Sequence, residues 1–331
     1  MAVEQVRIGI LGAAKIAASA MVKPARAVDE AEVVAIAARD PQRAQSYATK
    51  HGIARVHPSY EALIADPEID AIYNPLPNGL HAAWTLRAIE AGKHVLCEKP
   101  FTANAAEARE VADAAARAGV VVTEAFHYRY HPLAERMRAI SHGDELGTIR
   151  EIRTSMCFPL PKFSDIRYNY DLAGGAMMDA GCYALHCLRL LGTGEPEVVS
   201  AAALLRSPKV DRAMSAELRF PDGVRGFVET SMWSRKVLKM SAKVIGDRGS
   251  MNVFGFVAPQ YYHRLTLKAG GKARHERVRG EATYTAQLRG FAASVLRGEP
   301  SLTPAEDAVT TMRIIDSIYT AAGLPLRGVA A

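Results

Sequence analysis

Three groups of residues have types and spacings that suit chemistry. The apolar run His94-Val95-Leu96-Cys97 is followed at once by Glu98-Lys99-Pro100. A buried strand ending on a carboxylate, an amine and a rigid proline puts ionisable groups where open α/β sheets bind ligands, beyond the carboxyl ends of the strands. A solvated loop with a surface ion pair would have the same composition. Asp179, Tyr183 and His186 follow Gly174-Gly175 in a stretch that reads as a helix to about Leu191. At about 100° per residue these three fall within roughly a 60° arc, while Leu185, Leu188 and Leu191 lie off it. A carboxylate, a phenol and an imidazole on one face suit proton transfer and hydroxyl recognition, although a water-facing helix side gives the same pattern. Finally, Val6 to Leu11 feeds Gly12-Ala13-Ala14-Lys15-Ile16-Ala17. Strand, glycine turn and helix start together favour a pyrophosphate, held by backbone N–H groups. Gly12 takes the place of the first glycine of that pattern, but Ala14 and Ala17 fill the second and third, and the Ala14 methyl narrows the approach.

The elements that must position these groups alternate. The strand Glu32 to Ala38 ends in Arg39-Asp40, where an acidic residue commonly binds a ribose 2′-hydroxyl. An arginine there can pair with a 2′-phosphate, which points to NADP(H) as the preferred cofactor with NAD(H) possible. Asp40 has two readings: a cap for the helix that Pro41 opens, or a ribose contact. Ile69 to Tyr73 is a fourth strand, and Asn74-Pro75-Leu76-Pro77-Asn78-Gly79-Leu80-His81 after it is too rich in turn residues for regular structure. A helix runs from His81 to Ala91, and a fifth strand from Lys93 to Cys97. Asn104 and Glu107 have capping-box spacing for the next helix, which leads to a sixth strand at Val120 to Thr123. Six strands alternating with helices predict a doubly wound parallel sheet of the Rossmann kind over residues 1–127.

The alternation stops after His131-Pro132. Residues 128–331 read as an α+β domain with a large, mostly antiparallel open sheet. Its strands are Ile149 to Phe158, Val198 to Arg206, Arg212 to Phe220, Val224 to Met232, Leu238 to Gly246 and Ser250 to Phe254, and two helices follow, Tyr284 to Arg297 and Pro304 to Ala322. The proline-rich loop over 159–170 has the look of a cover for a crevice, with Arg167 and Tyr168 as candidate substrate contacts. Composition limits the function classes. Apolar content of 49% and charged content of 23% describe a globular chain rather than a disordered one. The net charge of +6 is spread without a basic block, which disfavours nucleic acid and suits an anionic cofactor. Cys97, Cys157, Cys182 and Cys187 show no Cys-x-x-Cys spacing, so neither a metal nor a disulfide framework is expected. With no charged leader and no membrane-length apolar run, a cytoplasmic location is the expectation.

Several of these stretches, in order, resemble the glucose-fructose oxidoreductase and inositol dehydrogenase family (Gfo/Idh/MocA). The matches are the Gly12-Ala13 turn, the Asn74 to His81 loop, Glu98-Lys99-Pro100, Glu124-Ala125-Phe126 with His131-Pro132, and Gly174 to Tyr183. The resemblance implies an NAD(P)-dependent oxidoreductase acting on a sugar, polyol or cyclic diol. It implies a cis Lys99-Pro100 bond and a homodimer or homotetramer through the second sheet. It also implies Lys99 and Tyr183 as the proton-transfer pair, because a nearby ammonium favours the phenolate of a phenol whose ordinary pKa is about 10. The inositol dehydrogenase branch has a histidine at the place of Tyr183 and an aspartate at that of His186, so this chain departs from it. Asp179 is expected to orient substrate hydroxyls or Lys99, with Arg167, Tyr183 and His186 completing the substrate contacts. Gly12, Ala14, Lys15, Ile16, Arg39, Pro75, Leu76, Asn78, His81, Glu98 and Lys99 are expected on the cofactor side. For His81 a loop anchor, and for Glu98 a structural role, are the competing readings. A nucleotide-sugar ketoreductase and a non-catalytic dinucleotide sensor remain as alternatives.

Overall fold

The short aliphatic runs of the first part become strands that pair in parallel, because each crossover returns the chain to the same end of the sheet before the next strand begins. In the computed structural model, which describes residues 4–235 and 238–328, these strands are β1 (Val6–Leu11), β2 (Ala31–Ala37), β3 (Arg55–His57), β4 (Ala71–Asn74), β5 (His94–Cys97) and β6 (Val122–Glu124). Their order is β3-β2-β1-β4-β5-β6. The order reverses between β1 and β4, which makes the loops after those two strands the rim of the ligand crevice. Ile8, Ile10, Tyr73 and Leu96 are buried in one core, and each such side chain contributes about 1.5–3 kcal/mol by leaving water. The helices start where the sequence supplies caps. Ser59 accepts from the Ala62 N–H and Asn104 from the Glu107 N–H. Glu107 closes the capping box by accepting from Asn104 and from the Ala103 N–H.

The second sheet contains β7 (Ile149–Cys157), β8 (Glu197–Ser207), β9 (Val210–Arg219), β10 (Arg225–Ser231), β11 (Lys239–Gly246), β12 (Gly249–Phe254), β13 (Arg264–Ala269) and β14 (Lys272–Glu276). It is ordered β14-β13-β12-β11-β7-β10-β9-β8, antiparallel throughout except for the parallel pair β7–β10. The helix Cys182–Leu191 packs on one face. Leu185, Leu188 and Leu191 are buried there, and a Cβ on Gly226 of β10 would approach Leu188 to 3.2 Å.

Three differences from the expected architecture have physical causes. The β13–β14 hairpin was not anticipated, although Gly270-Gly271 at its tip has both φ angles positive (56° and 73°), as a type I′ turn requires. The third strand, unplaced from sequence, is only three residues long and ends in Arg55 and His57. The division of the chain also differs. Residues 1–130 and 283–309 form one compact unit, and 131–282 with 310–331 form the other. The helix Thr283–Arg297, expected in the second domain, belongs to the first because Leu288, Phe291 and Ala292 complete the core that β1 begins. Among the described residues, no helix is long and apolar enough to cross a membrane.

Candidate active site

The site residues fall into two sets, one in each compact unit. In the first unit, β1 ends at Leu11 and Gly12 turns the chain at φ +84°. A Cβ on Gly12 would lie 3.1 Å from Leu76 Cδ2 and 3.5 Å from the Tyr60 hydroxyl, so the turn needs both the conformation and the space of glycine. The helical run that follows is capped by Ala14 in extended conformation, and no side chain fills the cap. Its first N–H groups are left for an anion, with Lys15 and Ile16 exposed beside them. Arg39 is exposed at the end of β2. Asp40 is committed to the next helix, where Oδ1 accepts from the Gln42 and Arg43 N–H groups at 2.9 and 3.2 Å. Of its two sequence readings, the cap is the one observed. Arg43 donates to the Ala13 carbonyl at 2.9 Å and so adds a second guanidinium beside the turn. A bare helix start, a glycine that a methyl would crowd and two guanidinium groups fit a phosphorylated dinucleotide.

The loop after β4 is built by Asn74. Its amide donates to the His81 carbonyl and to Thr85 Oγ1, both at 3.1 Å, and its Oδ1 accepts from the Leu76 N–H. Pro75 is buried, whereas Leu76 and Asn78 are partly exposed. For His81 the structure favours the loop-anchor reading. It is fully buried, with Nδ1 2.8 Å from the Pro100 carbonyl and Nε2 2.7 Å from the Leu76 carbonyl. Both ring nitrogens therefore face carbonyls, one in the β4 loop and one in the β5 loop. Burial, opposed by those carbonyls and aided by the charge of Lys99, pushes its pKa down to about 4, so the ring is neutral at pH 7. A neutral imidazole has one N–H and can donate to only one of the two carbonyls at a time.

The β5 loop carries Lys99, partly buried, on a cis peptide bond to Pro100. Tyr73 donates to Glu98 Oε1 at 2.7 Å in buried surroundings, which favours the structural reading of Glu98. Glu124 Oε1 accepts from the Phe101 N–H at 2.9 Å. His127 is buried against Thr283 Oγ1 at 2.8 Å, and burial, then the charge of Lys99, pushes it down to about 3. Neither Tyr73, Arg43 nor His127 was picked out from sequence, since a tyrosine inside a strand and an arginine in a helix carry no positional signal. Gln287 was missed as well: it is fully buried, and both its amide atoms lack a hydrogen-bond partner among the described residues.

In the second unit, Gly174-Gly175 leads into a π-helical turn, Met177–Gly181, which contains Asp179 and passes directly into the helix bearing Tyr183 and His186. The uniform 100° spacing expected across these residues does not hold, because a π turn takes more residues per turn; such turns recur at functional sites. Tyr183 and His186 are each 5% exposed. Arg167 reaches Asp179 with Nε 2.9 Å from Oδ2 and also meets Asp165 at 3.2 Å. Two of the expected substrate contacts thus hold each other. The Tyr168 hydroxyl donates to the Leu160 carbonyl at 3.0 Å, which makes it a brace of the 159–170 loop.

Comparison with known proteins identifies the family. Residues 6–126 match the profile of an oxidoreductase family with an NAD-binding Rossmann fold, GFO/IDH/MocA, and residues 134–252 match the GFO/IDH/MocA C-terminal domain. The chain is 40% identical over 316 residues to a D-xylose 1-dehydrogenase (NADP(+)) from Haloferax volcanii, covering 95% of this chain and 96% of that one. It is 35% identical to the mouse trans-1,2-dihydrobenzene-1,2-diol dehydrogenase over 70% of this chain and 68% of that one. A 3-ketoreductase from Actinomadura kijaniata, solved with NADP and TDP-benzene, superposes with a TM-score of 0.90 at 29% identity, covering 96% of this chain and 98% of that one.

Proposed function

The chain belongs to the GFO/IDH/MocA oxidoreductases, and from that premise we propose an NADP(H)-preferring dehydrogenase of aldoses and related carbinols, with D-xylose the first substrate to try and Lys99 with Tyr183 as the proton-transfer pair. The enzyme moves a hydride between nicotinamide and a CH–OH or carbonyl carbon. The cofactor, when bound, supplies the hydride acceptor or donor; the protein manages the proton and the orientation. Tyr183 takes the proton of the substrate hydroxyl in oxidation and returns it in reduction. The Lys99 ammonium favours the phenolate that this requires. Asp179, held by Arg167, accepts a hydrogen bond from a neighbouring substrate hydroxyl. Arg39 offers a cation for the ribose 2′ position while Asp40 spends its Oδ1 on the helix cap, which supports NADP(H).

One observation carries the proton-transfer assignment. The Actinomadura ketoreductase has been solved with a single lysine changed to alanine and with a single tyrosine changed to phenylalanine, and those two residues are separated in that chain by the same number of positions as Lys99 and Tyr183 here. The same reading takes the chain to assemble as a homodimer or homotetramer through the second sheet, whose edge strand β8 exposes Val199, Leu204 and Leu205; sedimentation as a monomer would remove that part.

The test follows reduced nicotinamide by its ultraviolet absorbance. D-Xylose, other aldoses, inositols and a trans-dihydrodiol are each offered with NADP⁺ and with NAD⁺. Reduction of NADP⁺ in preference to NAD⁺ with an aldose is the expected result. Activity confined to oxidation of NADPH by a nucleotide-linked keto sugar would replace the dehydrogenase by a ketoreductase. NADPH binding without turnover of any of these compounds would leave a dinucleotide sensor.

A further inference from the structure

The segment that precedes Asp179 and Tyr183 is fastened by a fully buried ion pair whose arginine comes from much later in the chain. Arg327 and Asp211 are both 0% exposed. Arg327 donates from Nε to the Gly174 carbonyl at 2.8 Å and from an Nη to Asp211 Oδ1 at 3.1 Å. Asp211 Oδ2 accepts from the Met177 N–H at 2.8 Å, and its Oδ1 accepts from the Tyr319 hydroxyl at 3.0 Å. The guanidinium lies 4.0 Å over the Tyr319 ring. Gly175, at φ +143°, runs against this cluster so closely that a Cβ would fall 2.2 Å from Asp211 Oδ1. The two ends of the turn, the Gly174 carbonyl and the Met177 amide, are thus fixed to the two members of one ion pair.

We infer that Arg327 is a positioning residue for the reaction: through Asp211 it sets the Gly174–Met177 turn and hence the direction in which the following π turn presents Asp179 and Tyr183. The inference rests on the proposed catalytic role of Tyr183. A cluster serving stability alone would be satisfied by an ordinary apolar plug, since buried ion pairs are weak stabilisers compared with hydrophobic side chains of equal volume. Arg327 also donates to the Pro325 carbonyl at 2.7 Å beside it in the chain, but the bonds from its Nε and from Asp211 Oδ2 go to the backbone at the head of the site helix. A planar fork holds two acceptors at a fixed angle, which a lysine ammonium does not.

The experiment compares Arg327→Lys, Tyr319→Phe and Tyr183→Phe with the parent, using whichever aldose or diol of the panel is turned over fastest. Active sites are counted by fluorescence titration with NADPH, so that kcat refers to folded protein. Arg327→Lys should keep NADP⁺ affinity and lose about tenfold or more in kcat, because small misplacements of reacting groups are costly. Tyr319→Phe, which keeps the ring beneath the guanidinium and removes one bond to Asp211, should lose kcat in the same sense by a smaller factor. If both variants melt earlier yet match the parent kcat per site, the cluster is structural only and the inference is overturned. If Arg327→Lys yields no folded protein, Tyr319→Phe decides by the same criterion. Loss of turnover in Tyr183→Phe with parent kcat in the other two overturns the positioning role alone. Full turnover in Tyr183→Phe overturns both that role and the catalytic reading beneath it.

Discussion

The loop that carries Lys99 and the helix start that carries Asp179 and Tyr183 are held by opposite means. In the first unit the fastener is neutral: His81 sits between the Leu76 and Pro100 carbonyls, and His127 rests against Thr283. In the second unit the fastener is charged, with Arg327 on Asp211 and Arg167 on Asp179. A neutral fastener leaves Lys99 as the charge that acts on its surroundings; the folded pKa values of both histidines are lowered in part by it. A charged fastener is directional, and it fixes backbone atoms on both sides of a turn. The two solutions should fail under different conditions, which makes them separable by experiment.

The largest effect should come from removing one member of the proton-transfer pair in either unit. Lys99→Met and Tyr183→Phe should each cut turnover by about 10²–10⁴-fold, the usual contribution of a positioned acid–base group, with NADP⁺ affinity retained. Because the two act on one proton, the double variant should be little worse than either single one. Steady-state kinetics with cofactor titration measures this, and a loss below about tenfold in both variants would break the assignment.

Acid should separate the two fasteners next. His81 and His127 have folded pKa values near 4 and 3, below the ordinary value of 6.5. Between those limits the unfolded chain binds protons that the folded chain refuses, so stability is present at neutral pH and is lost as pH falls below about 6.5. Each histidine should contribute a loss on the order of 2 kcal/mol by pH 5. Denaturant melts at pH 7 and pH 5 measure their sum together with the contributions of His51, His94 and His131, whose pKa values burial also lowers. His81→Leu should cost about 1–3 kcal/mol at pH 7 by stranding a carbonyl, yet show a smaller further loss on acidification than the parent. An unchanged pH dependence in that variant would mean that His81 is not among the groups responsible.

The sequence made the first unit more legible than the second. Gly12, Asn74 to His81 and Glu98-Lys99-Pro100 stand at strand ends, where type and position together carry meaning, and β4 and β5 appear within two residues of their expected bounds. The second unit depends on contacts between distant parts of the chain. Nothing near Gly174 announces that Asp211 and Arg327 will meet there, and nothing in the run Met177-Met178-Asp179-Ala180-Gly181 distinguishes a π turn from an α-helix. The place of the helix Thr283–Arg297 in the first unit is hidden for a similar reason, since its apolar face is legible but the identity of the core it completes is not. His81 is legible both as a buried anchor and as a cofactor contact, and the two carbonyl distances favour the anchor.

Smaller effects test neighbouring residues of the first unit against each other. Arg39→Ser should lower the preference for NADP⁺ over NAD⁺ by about tenfold, the order of one charged hydrogen bond, with the KM for substrate unmoved. Asp40→Ala is the complementary case. If the Asp40 carboxylate were a ribose ligand, its removal would weaken NAD⁺ more than NADP⁺ and the preference would rise. In the structure the Oδ1 of that carboxylate accepts from the Gln42 and Arg43 amides, so its loss should cost about 1 kcal/mol of stability, as a lost N-cap does. Arg43, whose side chain holds the Ala13 carbonyl from the same helix, should be loosened only slightly. The ratio of NADP⁺ to NAD⁺ efficiency should therefore stay within about twofold of the parent while the melting midpoint falls. A changed ratio at constant stability would assign Asp40 to the cofactor after all, and would take the choice away from the cations of Arg39 and Arg43.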